Sequence, residues 1–374
     1  MTDRHSGLER FAADLPPVTS FVSLGEGDTP LVELPRLTAE LGLARLRAKL
    51  ESLNPTGSYK DRIAAMSVSL ARRDGMSGWI ATSSGNAGMA MAAYGTRAGL
   101  PGCLCMVASA PAEKRLSILP YATELLLVEG VGRAATRAAE RGLFDEVRAA
   151  AERHNLYLGI TAHEFNPEGM RGADTIGYEL AEQAPSMSHL YVPTGGGGLL
   201  VAIARGLRSR GSRTKVVACQ PSGCAPIARY LAGEIDHPHV GACNSDISAL
   251  QLPSPPDGRR AAESVRSTRG WAGAVPDTAI LEAQRALAST EGVFAEPASA
   301  CALAVLIDDV RRGRIGSHDD VVLVVTGAGW KDLNRFHGDA ERLRTVAVRD
   351  VATNVDDWMS SRRASVSATL SEVR

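Results

Sequence analysis

Apolar residues in this chain gather in short runs of Val, Ile and Leu, separated by longer stretches whose apolar positions recur every three or four residues. That alternation is the signature of buried strands between amphipathic helices. Strands are predicted at residues 46–50, 78–81, 103–107, 124–128, 190–192, 215–219 and 321–325. Helices are predicted at 63–73, 87–98, 133–154, 172–183, 199–209 and 278–290, and at 298–311, where Ala302, Val305, Leu306 and Val310 share a face. Strand then helix along most of the chain reads as α/β, on mainly parallel sheets flanked by helices. Residues 252–258, Leu-Pro-Ser-Pro-Pro-Asp-Gly, are a loop by composition. The tail after about Thr345 is polar, with one late Trp358.

Length and charge narrow the function classes. The 374 residues suffice for two domains of roughly 150 residues each. A formal net charge of −1 offers no footprint for nucleic acid or for an anionic membrane, so neither is expected as a partner. Six cysteines show no metal-ligand spacing, and reduced thiols in a cytoplasmic protein are the expectation. The first residues are polar and no signal peptide is expected. The densest apolar run, 321–325, is far shorter than the ~20 residues of a spanning helix.

The chain owns five lysines, and one of them, Lys60, sits in Asn54-Pro55-Thr56-Gly57-Ser58-Tyr59-Lys60-Asp61-Arg62. Where arginine serves for almost every other cation, a lysine at a helix start points to a task closed to a permanently charged guanidinium: acting as a neutral amine and forming a Schiff base. Asn-Pro-Thr-Gly is turn sequence, and Ser58 with Asp61 is predicted to form a capping box ahead of Ile63, Met66 and Leu70. Taken alone, the segment also suits an ordinary capped helix with a solvated lysine.

Three further loops each leave the end of a predicted strand, and in an open parallel sheet all four corners are expected together at the carboxyl edge. Thr82-Ser83-Ser84-Gly85-Asn86-Ala87-Gly88 opens a helix whose first N–H groups and hydroxyls suit a carboxylate, with the Asn86 amide available to a phenolate or carbonyl oxygen. Thr194-Gly195-Gly196-Gly197-Gly198 lets the backbone aim several N–H donors at one anion, most naturally a phosphate. It is neither a Walker loop nor a dinucleotide fingerprint. Thr326-Gly327-Ala328-Gly329-Trp330-Lys331-Asp332 comes after the most hydrophobic strand, and the Thr326 hydroxyl suits a heteroaromatic nitrogen.

An amine, a phosphate cradle, a carboxylate loop and a hydroxyl for a ring nitrogen are what pyridoxal phosphate asks of a protein. The combination resembles the tryptophan-synthase-β family of pyridoxal-phosphate enzymes (fold type II), which includes threonine synthase, cysteine synthase and the serine/threonine dehydratases. The resemblance runs from Glu26-Gly27-Asp28-Thr29-Pro30-Leu31 to Asp332. It implies Lys60 as the aldimine lysine and base at Cα, Asn86 on the ring oxygen, Thr194, Gly195, Gly196, Gly197 and Gly198 on the phosphate, and Thr326 at the pyridine nitrogen. Ser83, Ser84, Gly85, Asn86 and Ala87 are implied as substrate-binding, and no metal is implied.

Within the family the lysine motif, the Glu26 motif, Asn166-Pro167-Glu168-Gly169-Met170-Arg171-Gly172 and the Thr326 corner are similar to threonine synthase. The Ser83 to Ala90 run and the glycine tetrad are similar to serine dehydratase, and Ala87 stands where threonine and cysteine synthases usually carry a hydroxyl. The implied activity is elimination or replacement at the β or γ carbon of a small amino acid, threonine synthase-like. Serine/threonine dehydratase, cysteine synthase-like β-replacement and a catalytically silent regulator that binds cofactor or amino acid are the alternatives. Also implied are a homodimer, a large cofactor domain (1–65 with 173–345), a small mobile substrate domain (66–172) and a C-terminal tail (346–374). His163 and Glu164 lie where relatives place substrate-side residues, and Arg62 is expected either to order the cofactor region or to pair with a nearby acid.

Overall fold

The computed structural model describes residues 7–83, 85–108, 115–131, 137–341 and 343–360. Its strands in chain order are β1 (Leu31–Glu33), β2 (Arg45–Leu50), β3 (Gly78–Thr82), β4 (Gly102–Val107), β5 (Thr123–Val128), β6 (Leu156–Leu158), β7 (His189–Pro193), β8 (Lys215–Pro221), β9 (Ala272–Val275) and β10 (Asp320–Val325). The helices are α1 (Pro35–Leu41), α2 (Lys60–Arg73), α3 (Asn86–Ala98), α4 (Arg137–His154), α5 (Asp174–Gln183), α6 (Gly198–Ser209), α7 (Pro226–Leu231), α8 (Gly258–Ser267), α9 (Asp277–Glu291) and α10 (Pro297–Arg311). Every predicted strand and helix is present, and the first residues of the predicted helix 133–154 lie outside the described residues. Unpredicted are β1, β6 and β9, which are three or four residues long, and the short helices α1, α7 and α8. Ala-Gly-Ala-Val in β9 carries almost no β-branched signal to read.

The strands form two sheets, in the orders β1-β2-β10-β7-β8-β9 and β5-β4-β3-β6. Only β1 pairs antiparallel; the other neighbours are parallel, which is why their sequences read as near-continuous apolar runs. In β10 the two-residue period sorts Val321, Leu323 and Val325 into the core shared with α9 and α10, and Val322 and Val324 into the opposite core with α5 and α6. The smaller sheet packs on α2 and α3 through Trp79, Ala81, Leu104 and Met106, and on α4 through Ile80 and Cys105.

Helix α2 departs from the expected amphipathic pattern, since every residue from Asp61 to Ala71 is buried. Its polar side chains are therefore all accounted for. Ser69 takes the Val22 N–H and donates to the Ala65 carbonyl, and Ser67 takes the Asn166 amide. Arg62 does not pair with the adjacent Asp61. Its guanidinium lies between the Glu51 carboxylate, both oxygens at 2.8 Å, and that of Glu179, with all three side chains fully buried. Lys49 Nζ completes the cluster at 2.5 Å from Glu179. Burial works against a Glu179 carboxylate, but the charges of Arg62 and Lys49 outweigh it and bring its pKa down to about 2.

Cys224 and Cys243 are joined in a disulfide with their Cα atoms 4.7 Å apart, which corrects the expectation of reduced thiols throughout. The loop after α7 folds back so that the Asn244 N–H donates to the Gly223 carbonyl (2.8 Å), bringing together cysteines that lie 19 residues apart in sequence. Cys103, Cys105, Cys219 and Cys301 are free. No helix among the described residues is long and apolar enough to cross a membrane. Residues from Leu333 onward form a unit of their own, with 3-10 turns at Asn334–Phe336 and Val348–Asp350, helix α11 (His337–Ala340) and a helical stretch at 351–360.

Replacing Arg62 with leucine strands two buried carboxylates and is expected to cost about 3–5 kcal/mol. Urea unfolding monitored by circular dichroism measures it; a loss below about 1 kcal/mol would show that the cluster is no brace.

Candidate active site

Lys60 is the first residue of α2, yet the predicted capping box does not form. Tyr59 occupies the N-cap position without a side-chain bond, and Ser58 Oγ is buried with no partner among the described residues. The Asp61 carboxylate instead turns back to take the Thr56 N–H (2.6 Å) and the Thr56 hydroxyl, so it ties down the turn that precedes the helix. The fourth corner fastens the same turn from the other side. The Tyr59 N–H donates to the Thr326 carbonyl (3.1 Å), the Ala328 N–H donates to the Gly57 carbonyl (3.0 Å), and Ser58 bridges Gly327. The Lys60 amine, partly buried, donates to Thr161 Oγ1 at 2.8 Å.

The four corners do not share one sheet edge as predicted. The lysine, glycine and Thr326 corners come after β2, β7 and β10 of the larger sheet, whereas Thr82 to Gly88 comes after β3 of the smaller. Asn86 spans the two sets, its Nδ2 lying 3.0 and 3.1 Å from the carboxylate oxygens of Glu296. Ser83 Oγ accepts the N–H groups of Gly85 and Gly88 and so braces the turn into α3, whose N-cap position is Gly85. Ala87 is buried and brings no polar atom, and Ser84 lies outside the described residues.

Glu296 is the residue that sequence reasoning missed, having read Glu-Pro only as a helix start. It is 5% exposed, with one oxygen 3.5 Å from Thr326 Oγ1, which in turn lies 2.8 Å from Ser299 Oγ. A Cβ on Gly327 would lie 2.3 Å from Glu296 Oε1, so the bare glycine is what admits the carboxylate. Lysine, asparagine, threonine and this glutamate are thus drawn together by pairings between residues far apart in sequence.

The glycine corner packs against a different segment. Gly197 adopts φ +90°, and a side chain there would press on the Asp257 carbonyl at 2.9 Å. The N–H groups of Gly195, Gly196, Gly197 and Gly198 donate to no acceptor among the described residues, and they stand at the N-terminus of α6. Donors so arranged suit an anion. Thr194 spends its hydroxyl proton on the Val192 carbonyl (2.7 Å), and its own carbonyl receives Gln220 Nε2 (3.0 Å). Asp257 takes the His163 N–H (2.9 Å) and faces its Nδ1 (3.2 Å). Burial works against the Asp257 carboxylate, but these bonds and Arg260 bring its pKa below the usual range. Glu164 is exposed.

This donor set fits pyridoxal phosphate: a primary amine, a row of N–H groups without acceptors, an amide, and a hydroxyl beside a carboxylate. A family profile described as pyridoxal-phosphate dependent enzyme matches residues 22–327. Threonine synthase of Methanosarcina acetivorans is 31% identical over 342 residues, covering 86% of this chain and 80% of that protein. Threonine synthase of Bacillus sp. (strain ULM1) is 32% identical over 336 residues, covering 87% of this chain and 90% of its own. Among solved structures, the processed form of threonine deaminase isoform 2 from Solanum lycopersicum superposes with a TM-score of 0.69 at 21% identity, over 84% of this chain and 82% of that one.

Burial pushes the Asp61 carboxyl up to about 7, against the Thr56 hydrogen bonds and the charge of Lys331. Its folded pKa thus lies above its unfolded value. The stability it contributes is complete below about pH 4 and is lost as pH rises through about 7. Between pH 5 and 8 the wild type is expected to lose on the order of a few kcal/mol that Asp61→Asn does not lose. Urea titrations at the two pH values read the difference, and parallel behaviour of the two proteins would refute it.

Proposed function

The chain belongs to the pyridoxal-phosphate-dependent enzyme family, and from that premise we propose that Lys60 is its catalytic base and covalent anchor in a threonine synthase-like elimination or replacement at the β or γ carbon of a small amino acid. The observation that carries this reading is a connection. Lys60 bonds Thr161, and two residues later His163 bonds the Asp257 that braces the glycine loop. One short segment thereby links the amine to the row of N–H donors.

The N–H groups of Gly195 to Gly198 would hold the cofactor phosphate, Asn86 its ring oxygen, and Thr326 with Glu296 its nitrogen edge. When bound, pyridoxal phosphate supplies an electron sink for charge developing at the substrate Cα. Lys60 Nζ takes the Cα proton and returns it to carbon or to the departing group, with Thr161 Oγ1 holding the amine between those tasks. Asn86 would hold the ring oxygen in place of Glu296, whose carboxylate keeps the amide aimed in this structure. Ser83 braces the turn in which Gly85 and Ala87 would meet the substrate carboxylate, together with Ser84.

A dehydratase is the second reading, favoured by Ala87, which offers a replacing nucleophile no hydroxyl at that position. The division into a large part (1–65 with 173–345) and a smaller, mobile substrate part (66–172) belongs to the same proposal. The four-stranded sheet, β3 to β6, supports it. Family resemblance supports a cytoplasmic homodimer.

Borohydride treatment of the cofactor-loaded enzyme is expected to fix the cofactor mass on the Lys60 peptide, and Lys60→Ala to reduce turnover by at least ~1,000-fold. Label on another lysine would overturn the assignment. Phosphate release from O-phosphohomoserine separates the synthase reading from ammonia release out of serine or threonine. Glu296→Gln is expected to lower kcat about tenfold or more with a smaller change in KM.

A further inference from the structure

A cavity of about 570 Å³ is lined by none of Lys60, Asn86, Gly195 to Gly198 or Thr326, though it includes His163. Arg171, Arg205 and Arg260 line it, together with His163, Glu168 and Asp14. Buried aspartates aim the guanidinium groups. Asp174 takes Arg205 through both oxygens (2.5 and 2.8 Å) and Arg171 Nε at 2.6 Å, and Asp257 takes Arg260 Nη1 at 3.1 Å. One carboxylate thus serves two guanidinium groups, and each arginine keeps N–H donors that these bonds do not use. The two acidic residues of the lining are themselves matched, Asp14 by Arg210 and Glu168 by Arg73. Arg73 is shared with Asp74 at 2.6 Å, so walls and partners together bring five guanidinium groups against five carboxylates, and only the donors those bonds leave unused are available to a ligand.

His163 supplies an independent observation. It is 7% exposed and lines the cavity, and its Nδ1 faces Asp257, but its Nε2 is buried without a partner among the described residues. A buried ring nitrogen left without a partner carries a desolvation cost, here in the wall of the cavity.

We propose that the cavity is a binding site for a small oxyanion, a carboxylate or a phosphate group held by the donors that Arg171, Arg205 and Arg260 keep unused. The site is separate from that of the amino-acid substrate, but the two share a wall. The Asp257 side chain faces the oxyanion site through His163 and Arg260, while its N–H donates to the Gly196 carbonyl at 3.0 Å. An occupant is therefore placed to act as an effector on the glycine loop.

Calorimetric titration of the cofactor-loaded full chain with inorganic phosphate and, separately, succinate tests this at ionic strength held constant with chloride. Saturable binding at one site per chain is expected for at least one probe. It should weaken at least tenfold in Arg260→Ala, whose side chain is half exposed, and at least as much in Arg205→Ala. Phosphate alone binding identifies a phosphate group, succinate alone a carboxylate, and both an oxyanion site that does not discriminate. Heats of dilution only, or saturable binding that both variants leave unchanged, would overturn the proposal.

Discussion

Arg62 governs how the rest of this protein is placed. Its guanidinium is fully buried, a state tolerable only with carboxylates on both sides, and those carboxylates come from the segment after β2 and from α5. The Glu26 to Leu31 motif is threaded onto the same cluster: Thr29 Oγ1 donates to Glu51 (2.6 Å), the Asp28 N–H to Glu179 (2.9 Å), and Lys49 reaches the Thr29 carbonyl (2.7 Å). Each of these groups would be costly to bury alone, so none can shift without exposing another to an apolar interior. Arg62 lies two residues after Lys60. Fixing its head fixes the first turn of α2, and with it the direction from which the amine enters the site.

The sequence patterns that were legible were those with a local cause. The unbroken apolar run of β10 results from burial on both faces, and the glycine tetrad is visible because four successive glycines have no local reason to sit between a strand and a helix. What stayed hidden was made by long-range pairing. Glu296 becomes part of the site because Ala295 bridges Ala328 and the Glu296 N–H donates to the Gly327 carbonyl (3.0 Å), contacts across more than thirty residues. The capping box failed for a similar reason, since Ser58 is pinned by Gly327 and its Oγ bonds no partner among the described residues. The Glu26 and Asn166 motifs carried family resemblance, yet their polar atoms serve the scaffold. Asn166 bonds Ser67, Tyr157 and the Gly169 N–H, and Glu26 accepts from Tyr94.

Placing the second corner on its own sheet changes how the site can be read. Had all four loops risen from one parallel sheet, their spacing would have been set by strand geometry alone. Instead Asn86 opens a helix over the four-stranded sheet while Lys60, Gly195 to Gly198 and Thr326 belong to the six-stranded one. The Asn86 to Glu296 contact is a hydrogen bond from an amide to a carboxylate, strong enough to hold a register but exchangeable for another acceptor without breaking any backbone pairing. Such a contact suits a joint between two sheets better than an apolar interface would, because its partners are satisfied in either arrangement only if a new acceptor replaces the old.

Glu296 also alters the electrostatics that the sequence alone suggested. A threonine hydroxyl at a ring nitrogen reads as a neutral partner, but here that hydroxyl stands between Ser299 and a buried carboxylate. A hydroxyl so placed can donate in one direction only, so its lone pairs are presented to the site or withheld from it according to where the Glu296 oxygen lies. Were Asn86 to take another acceptor, the carboxylate would lose an amide donor and its demand on the Thr326 hydroxyl would rise. Asn86 and Thr326 are therefore coupled through one carboxylate, admitted by the absence of a side chain at Gly327. A side chain at that glycine would remove the coupling while leaving every backbone strand in place.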